Sequence, residues 1–166
     1  AAVIRGGAGY DEIVAGAGAD IIYGEGGNDF IDAGAGNDLV FADDGKIGED
    51  GLTLKTGNFG GGVDVVIGGA GDDVIIGGAG ADELGGDLDP KLPDPGTGDP
   101  GNDWIFGDGA LLTLGAANVF LDIDLIENTS SASGGADRIF GHLGNDHIYA
   151  GGGNDYIEAG GGNDEV

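Results

Sequence analysis

Aspartate recurs every nine residues along much of this chain, and no other feature of the sequence constrains the fold as strongly. The aspartates stand at Asp11, Asp20, Asp29 and Asp38, then at Asp64, Asp73 and Asp82, at Asp103, and at Asp137, Asp146, Asp155 and Asp164. Two residues before each of the twelve is a glycine, from Gly9 to Gly162. Two residues after each is an aliphatic: Ile13, Ile22, Ile31, Val40, Val66, Ile75, Leu84, Ile105, Ile139, Ile148, Ile157 and Val166. Self-similarity at a short fixed period marks a solenoid, in which every repeat adds the same small unit to one continuous core.

The unit reads Gly-Gly-x-Gly-x-Asp-x-aliphatic-x, as from Gly68 to Ile76, and divides into a six-residue turn and a three-residue strand. Glycine supplies the positive-φ turn conformations, and the asparagine that often precedes the aspartate (Asn28, Asn37, Asn102, Asn145, Asn154, Asn163) tolerates them too. In so short a strand only the middle side chain faces inward, so each repeat adds one aliphatic to a narrow core. The pattern predicts an all-β fold, a parallel β-roll: a right-handed β-solenoid with two repeats per coil. Six coils stacked at about 4.8 Å make a roll of roughly 29 Å.

Such a core is thin. Gly makes up 41 of the 166 residues, and one inward aliphatic per repeat does not offset a backbone ordering cost that glycine enlarges. Acidic residues number 31 against 5 basic, a formal charge of -26, which repels DNA, RNA and anionic membrane surfaces and excludes a nucleic-acid partner. Of the acidic residues 24 are Asp and 7 are Glu, a bias towards the short carboxylate that fits tight turns. Stacked coils set Asp above Asp, and such columns repel unless a cation lies between them. All-oxygen ligands suit Ca²⁺, whereas zinc or copper would call for cysteine, which is absent, and histidine, of which there are two. The expected cofactor is therefore Ca²⁺, bound many times over.

These residues resemble the RTX (repeats-in-toxin, haemolysin-type) calcium-binding nonapeptide family. The resemblance implies that the sixth-position aspartate and the turn carbonyls hold Ca²⁺ between successive coils, which makes all twelve aspartates ligands. It also implies secretion to the cell surface or medium, with folding where calcium is abundant. Departures from the pattern are Glu25, Asp99, Ser133 and His142 at the second turn position and Phe59 at the first; Pro100 also lies in a turn.

Three insertions break the period, at residues 42–58, 86–97 and 107–131. The second carries Pro90, Pro93 and Pro95 and reads as an extended loop. The first and third echo each other, with Leu52-Thr53-Leu54 matched by Leu112-Thr113-Leu114. In the third, Val119 to Ile126 alternates partly at strand period, as a hairpin on the flank of the roll or a contact surface for neighbouring repeat units or copies of the chain. The chain lacks Met at position 1 and begins and ends inside repeats, so it reads as a single roll cut from a longer polypeptide.

Paired carboxylates could suggest acid–base catalysis, but they recur identically in every repeat, and the expectation is no enzyme. His142 and His147 lack a metalloprotease helix and read as surface residues; Gly45-Lys46 continues with Ile47, which is no phosphate loop. No apolar run is long enough to span a bilayer, so no membrane insertion is expected. Ice binding is disfavoured, since all five threonines (Thr53, Thr56, Thr97, Thr113, Thr129) lie in insertions. Two readings remain. One is a structural or extender region of a large secreted or cell-surface bacterial protein of adhesin, surface-layer or filament type. The other is a calcium-triggered folding and secretion domain attached to a hydrolase or toxin module.

Overall fold

Eleven of the twelve repeats fold into one short strand each, the last adds a single bridge at Glu165, and the strands alternate between two parallel sheets. A computed structural model describes residues 1–48, 53–56, 61–87, 101–114, 123–128 and 134–166. The first sheet contains β1 (Val3–Ala8), β3 (Ile21–Gly26), β5 (Leu39–Asp43), β9 (Val74–Ile76), β11 (Trp104–Phe106) and β15 (His147–Tyr149), in that order. The second contains β2 (Glu12–Val14), β4 (Phe30–Ala35), β8 (Val65–Ala70), β10 (Glu83–Gly85), β14 (Arg138–Phe140) and β16 (Tyr156–Glu158). All pairings within both sheets are parallel, giving the β-roll that the period predicts.

The register stacks the repeat aliphatics upon one another. Ile22, Val40, Ile75, Ile105 and Ile148 form one row, and Ile13, Ile31, Val66, Leu84, Ile139 and Ile157 the other. The two rows meet in one cluster in which ten of the twelve aliphatics are buried. Ile157 is partly buried there, while Val166, just past the bridge between His147 and Glu165, is 71% exposed.

A third sheet, antiparallel, grows out of the insertions. Its strands are β6 (Gly45–Ile47), β7 (Thr53–Thr56), β12 (Ala110–Leu114) and β13 (Ile123–Asn128), in the order β13-β12-β7-β6. The two Leu-Thr-Leu echoes meet in it, for Leu54 pairs with Leu112 and Thr53 with Thr113. β12 and β13 form a hairpin, and Ala110, Leu112 and Leu54 are buried with Tyr23, Leu39, Phe41, Val74, Ile76 and Phe106 of the first sheet. The insertions thus cover the outer face of that sheet, as flank packing requires. Val119, Phe120 and Leu121 lie outside the described residues, as do Asp99, Ser133, Phe59, Pro100 and the prolines of the second insertion.

The middle of the first sheet is buried on both sides, and its strands there carry three consecutive apolar residues, as in Leu39-Val40-Phe41 and Val74-Ile75-Ile76. Aromatic rings stack along its outer face: Tyr23 on Phe41 at 5.2 Å, Phe106 on Tyr149 at 5.3 Å and Trp104 on His147 at 4.1 Å. His147 therefore belongs to this stack. His142, expected at the surface, is buried: it occupies the second position of its turn, with its ring 6.0 Å from that of Phe140.

Candidate metal sites along the two turn edges

The turns that join the two sheets line the two edges of the roll. At the second turn position most turns adopt positive φ, as Gly34 (99°) and Gly69 (107°) do freely; Glu25 (79°) and His142 (71°) adopt it as well, whereas Gly16 does not. The turns pack so tightly that a methyl group at Gly69 would overlap the Gly34 carbonyl of the preceding coil.

The repeat aspartates fall into two files, one per edge. Asp11, Asp29, Asp64, Asp82, Asp137 and Asp155 form one, and Asp20, Asp38, Asp73, Asp103, Asp146 and Asp164 the other. Within each file the backbone N–H of one aspartate donates to Oδ1 of the aspartate in the next coil, over 2.7 to 3.1 Å. The ladder continues across every insertion, although the partners are 18 residues apart in uninterrupted coils and 55 apart between Asp82 and Asp137.

The ladder thereby occupies Oδ1 of each aspartate that follows another in its file and leaves Oδ2 out. Nine of the twelve, on Asp11, Asp29, Asp38, Asp64, Asp73, Asp82, Asp103, Asp137 and Asp146, are buried and accept no hydrogen bond. A buried carboxylate oxygen without a partner is costly unless a proton or a cation satisfies it. Backbone oxygens approach the same places. A methyl group at Gly6 would lie 2.8 Å from Asp11 Oδ2 and 2.7 Å from the Gly24 carbonyl oxygen of the next coil. At Gly77 the corresponding distances are 2.7 Å to Asp82 Oδ2 and 2.5 Å to the Gly107 carbonyl.

The same arrangement appears at Gly86 with Asp103 and at Gly107 with Asp137, where glycine and aspartate come from opposite sides of an insertion. The pattern of consecutive residues gave no hint that Gly86 and Gly107 belong to those turns. Their signal is that each follows its repeat aliphatic by two residues, as Gly24 and Gly77 do.

Burial is the first cause that raises eight of these carboxyls above the usual 3.8, with the charge of neighbouring aspartates adding to it and the ladder hydrogen bond opposing it. Asp103 is pushed up to about 9, Asp73 and Asp82 to about 8, Asp64 and Asp146 to about 7 and Asp137 to about 6. Asp29 and Asp38 are raised as well. No three carboxylates or imidazoles converge among the described residues, so a cation held here must take many of its oxygens from the backbone. Ca²⁺ accepts such mixed carbonyl and carboxylate shells.

No match is found among curated proteins or among solved structures. The family model for the RTX calcium-binding nonapeptide repeat, however, matches four times, over residues 2–31, 21–46, 60–89 and 131–166, which together make up more than half of the chain. With its parallel two-sheet roll, its twin files of aspartates and these matches, the chain belongs to the RTX calcium-binding nonapeptide repeat family.

Proposed function

We propose that calcium ions occupy both files, between successive turns, with Oδ2 of the twelve repeat aspartates and the turn carbonyls as ligands. The nine buried, unpartnered Oδ2 atoms carry this reading, because a divalent cation satisfies them and cancels the repulsion within each file. The module is then a structural element: a calcium-folded extender segment of a larger secreted or cell-surface bacterial protein, without catalysis of its own. The antiparallel cover over the first sheet supports this reading, since it thickens and stiffens one side of the roll.

Two neighbouring residues test the ligand assignment. Asp73 has a buried Oδ2 without a partner, whereas Asp72 is half-buried and accepts from the Asn102 side chain at 3.0 Å. Asp73→Asn keeps an acceptor for the ladder but puts an amide where the cation would be bound. It should raise the calcium midpoint about tenfold at the sites it borders, roughly 1.4 kcal/mol. Asp72→Asn should shift it by less than about twofold, as surface substitutions do. Equal shifts in a calcium titration of the two variants would remove the basis for the assignment.

A further inference from the structure

Each insertion leaves the roll at the same turn position, and an aspartate stands there every time. Asp43, Asp87 and Asp108 follow the repeat aspartates Asp38, Asp82 and Asp103 at the same spacing, in the place that Gly34, Gly69 and Gly78 hold in uninterrupted turns. None of the three has the positive φ that those glycines, Glu25 and His142 adopt.

All three aspartates are buried, and their two oxygens do different things. Oδ1 accepts the amide where the chain re-enters the turn: Gly61 on Asp43 at 2.8 Å, Gly101 on Asp87 at 3.0 Å and Gly135 on Asp108 at 3.3 Å. Oδ2 accepts the amide of the third turn residue in the next coil: Ala79 on Asp43 at 2.6 Å, Leu143 on Asp87 at 3.1 Å and Gly152 on Asp108 at 2.5 Å. In uninterrupted turns that third-position amide donates to the second-position carbonyl of the preceding coil, as Ala35 does to Gly16 and Gly161 to His142. The insertion takes that carbonyl away, and the carboxylate stands in its place.

We propose that Asp43, Asp87 and Asp108 are splice residues: each carboxylate closes the turn across an insertion and replaces the lost backbone acceptor, so that both aspartate files run on unbroken. They are positioning residues for the metal turns. With both oxygens engaged by amides, their geometry differs from that of the nine repeat aspartates whose buried Oδ2 is unpartnered. The splice works for separations of 18, 14 and 27 residues, so it sets no length on what is inserted. Two of the three also launch the cover sheet, since β6 starts just after Asp43 and β12 just after Asp108.

The experiment is a cycle at Asp87, whose insertion contributes no strand to the cover sheet among the described residues. Asp87→Gly is made in the full chain and in a chain with residues 88–99 deleted and Pro100→Gly, where an uninterrupted turn becomes possible. Calcium titration and amide hydrogen exchange are read in all four proteins. In the full chain, the Gly101 and Leu143 amides should exchange about ten- to a hundredfold faster, as expected for losing a hydrogen bond to a charged group. The calcium midpoint should rise with them. In the shortened chain the same substitution should leave exchange and midpoint unchanged or improved, because the second-position carbonyl is back. Should Asp87→Gly prevent folding only in the full chain, the proposal also holds, and Asp87→Asn, which keeps one acceptor, should then speed exchange at one of the two amides alone. Equal losses in both chains, or unchanged exchange at Gly101 and Leu143, would overturn it.

Discussion

Removing calcium at neutral pH should abolish most of the strand content of this chain and expand it. The metal-free roll holds nine buried carboxylate oxygens with no partner, and neighbouring aspartates in each file repel one another. Its inner core receives one aliphatic per repeat. Each site at a calcium concentration ten times its Kd contributes about 1.4 kcal/mol. A handful of such sites equals the whole stability of an ordinary domain, about 5–15 kcal/mol. In a chelator the radius of gyration should therefore grow from about 15–20 Å to about 40 Å, with loss of the far-ultraviolet strand signal. Magnesium should restore little, since it demands near-ideal octahedral geometry and gives up its waters reluctantly. Identical scattering profiles in chelator and in millimolar calcium would show that the metal is not needed for the fold.

Acid should partly replace calcium. Burial pushes Asp137, Asp64, Asp146, Asp73, Asp82 and Asp103 up to between about 6 and about 9 in the metal-free roll, against 3.8 when unperturbed. Between those limits the folded chain binds more protons than the unfolded chain, so its stability falls as pH rises. The contribution is complete below the unperturbed value and is lost in turn as Asp137, Asp64 and Asp146, Asp73 and Asp82, and last Asp103 ionise. In a chelator, strand content should be clearly greater at about pH 5 than at about pH 8, the reverse of the usual acid denaturation. A calcium-free circular dichroism series that is flat, or that gains strand with rising pH, would contradict the burial of these carboxyls.

The period made the roll legible because a nine-residue unit with one inward aliphatic leaves few alternatives. Ten of those aliphatics are buried where the sequence placed them, and the paired Leu-Thr-Leu echoes became adjacent strands. The second core was harder to see. Leu39, Phe41, Ile76 and Phe106 flank the inward residue, and their burial depends on a cover built from segments far away in the chain. Three apolar residues in a row, as in Trp104-Ile105-Phe106 against Arg138-Ile139-Phe140 in the other sheet, were the available sign, and a weak one, since Val65-Val66-Ile67 of the other sheet is such a run as well. The splice aspartates escaped for a different reason. Asp43 reads as the opening of an insertion, and nothing in consecutive residues says that its carboxylate bridges Gly61 and Ala79. Only alignment with the second turn position of intact repeats shows that all three insertions begin alike. His142 was misplaced because polarity suggested the surface, while its turn position and Phe140 enclose it.

The most direct measurement is an anomalous difference map from crystals of the calcium-loaded chain, checked with a lanthanide substitute. Two rows of peaks are expected, one along each edge of the roll, between successive turns and about 2.3–2.6 Å from aspartate Oδ2 and turn carbonyl oxygens. Each row should continue past the insertions at the Gly86–Asp103 and Gly107–Asp137 turns. Peaks confined to exposed carboxylates such as Glu12 and Glu158, with none between the turns, would contradict this placement of calcium.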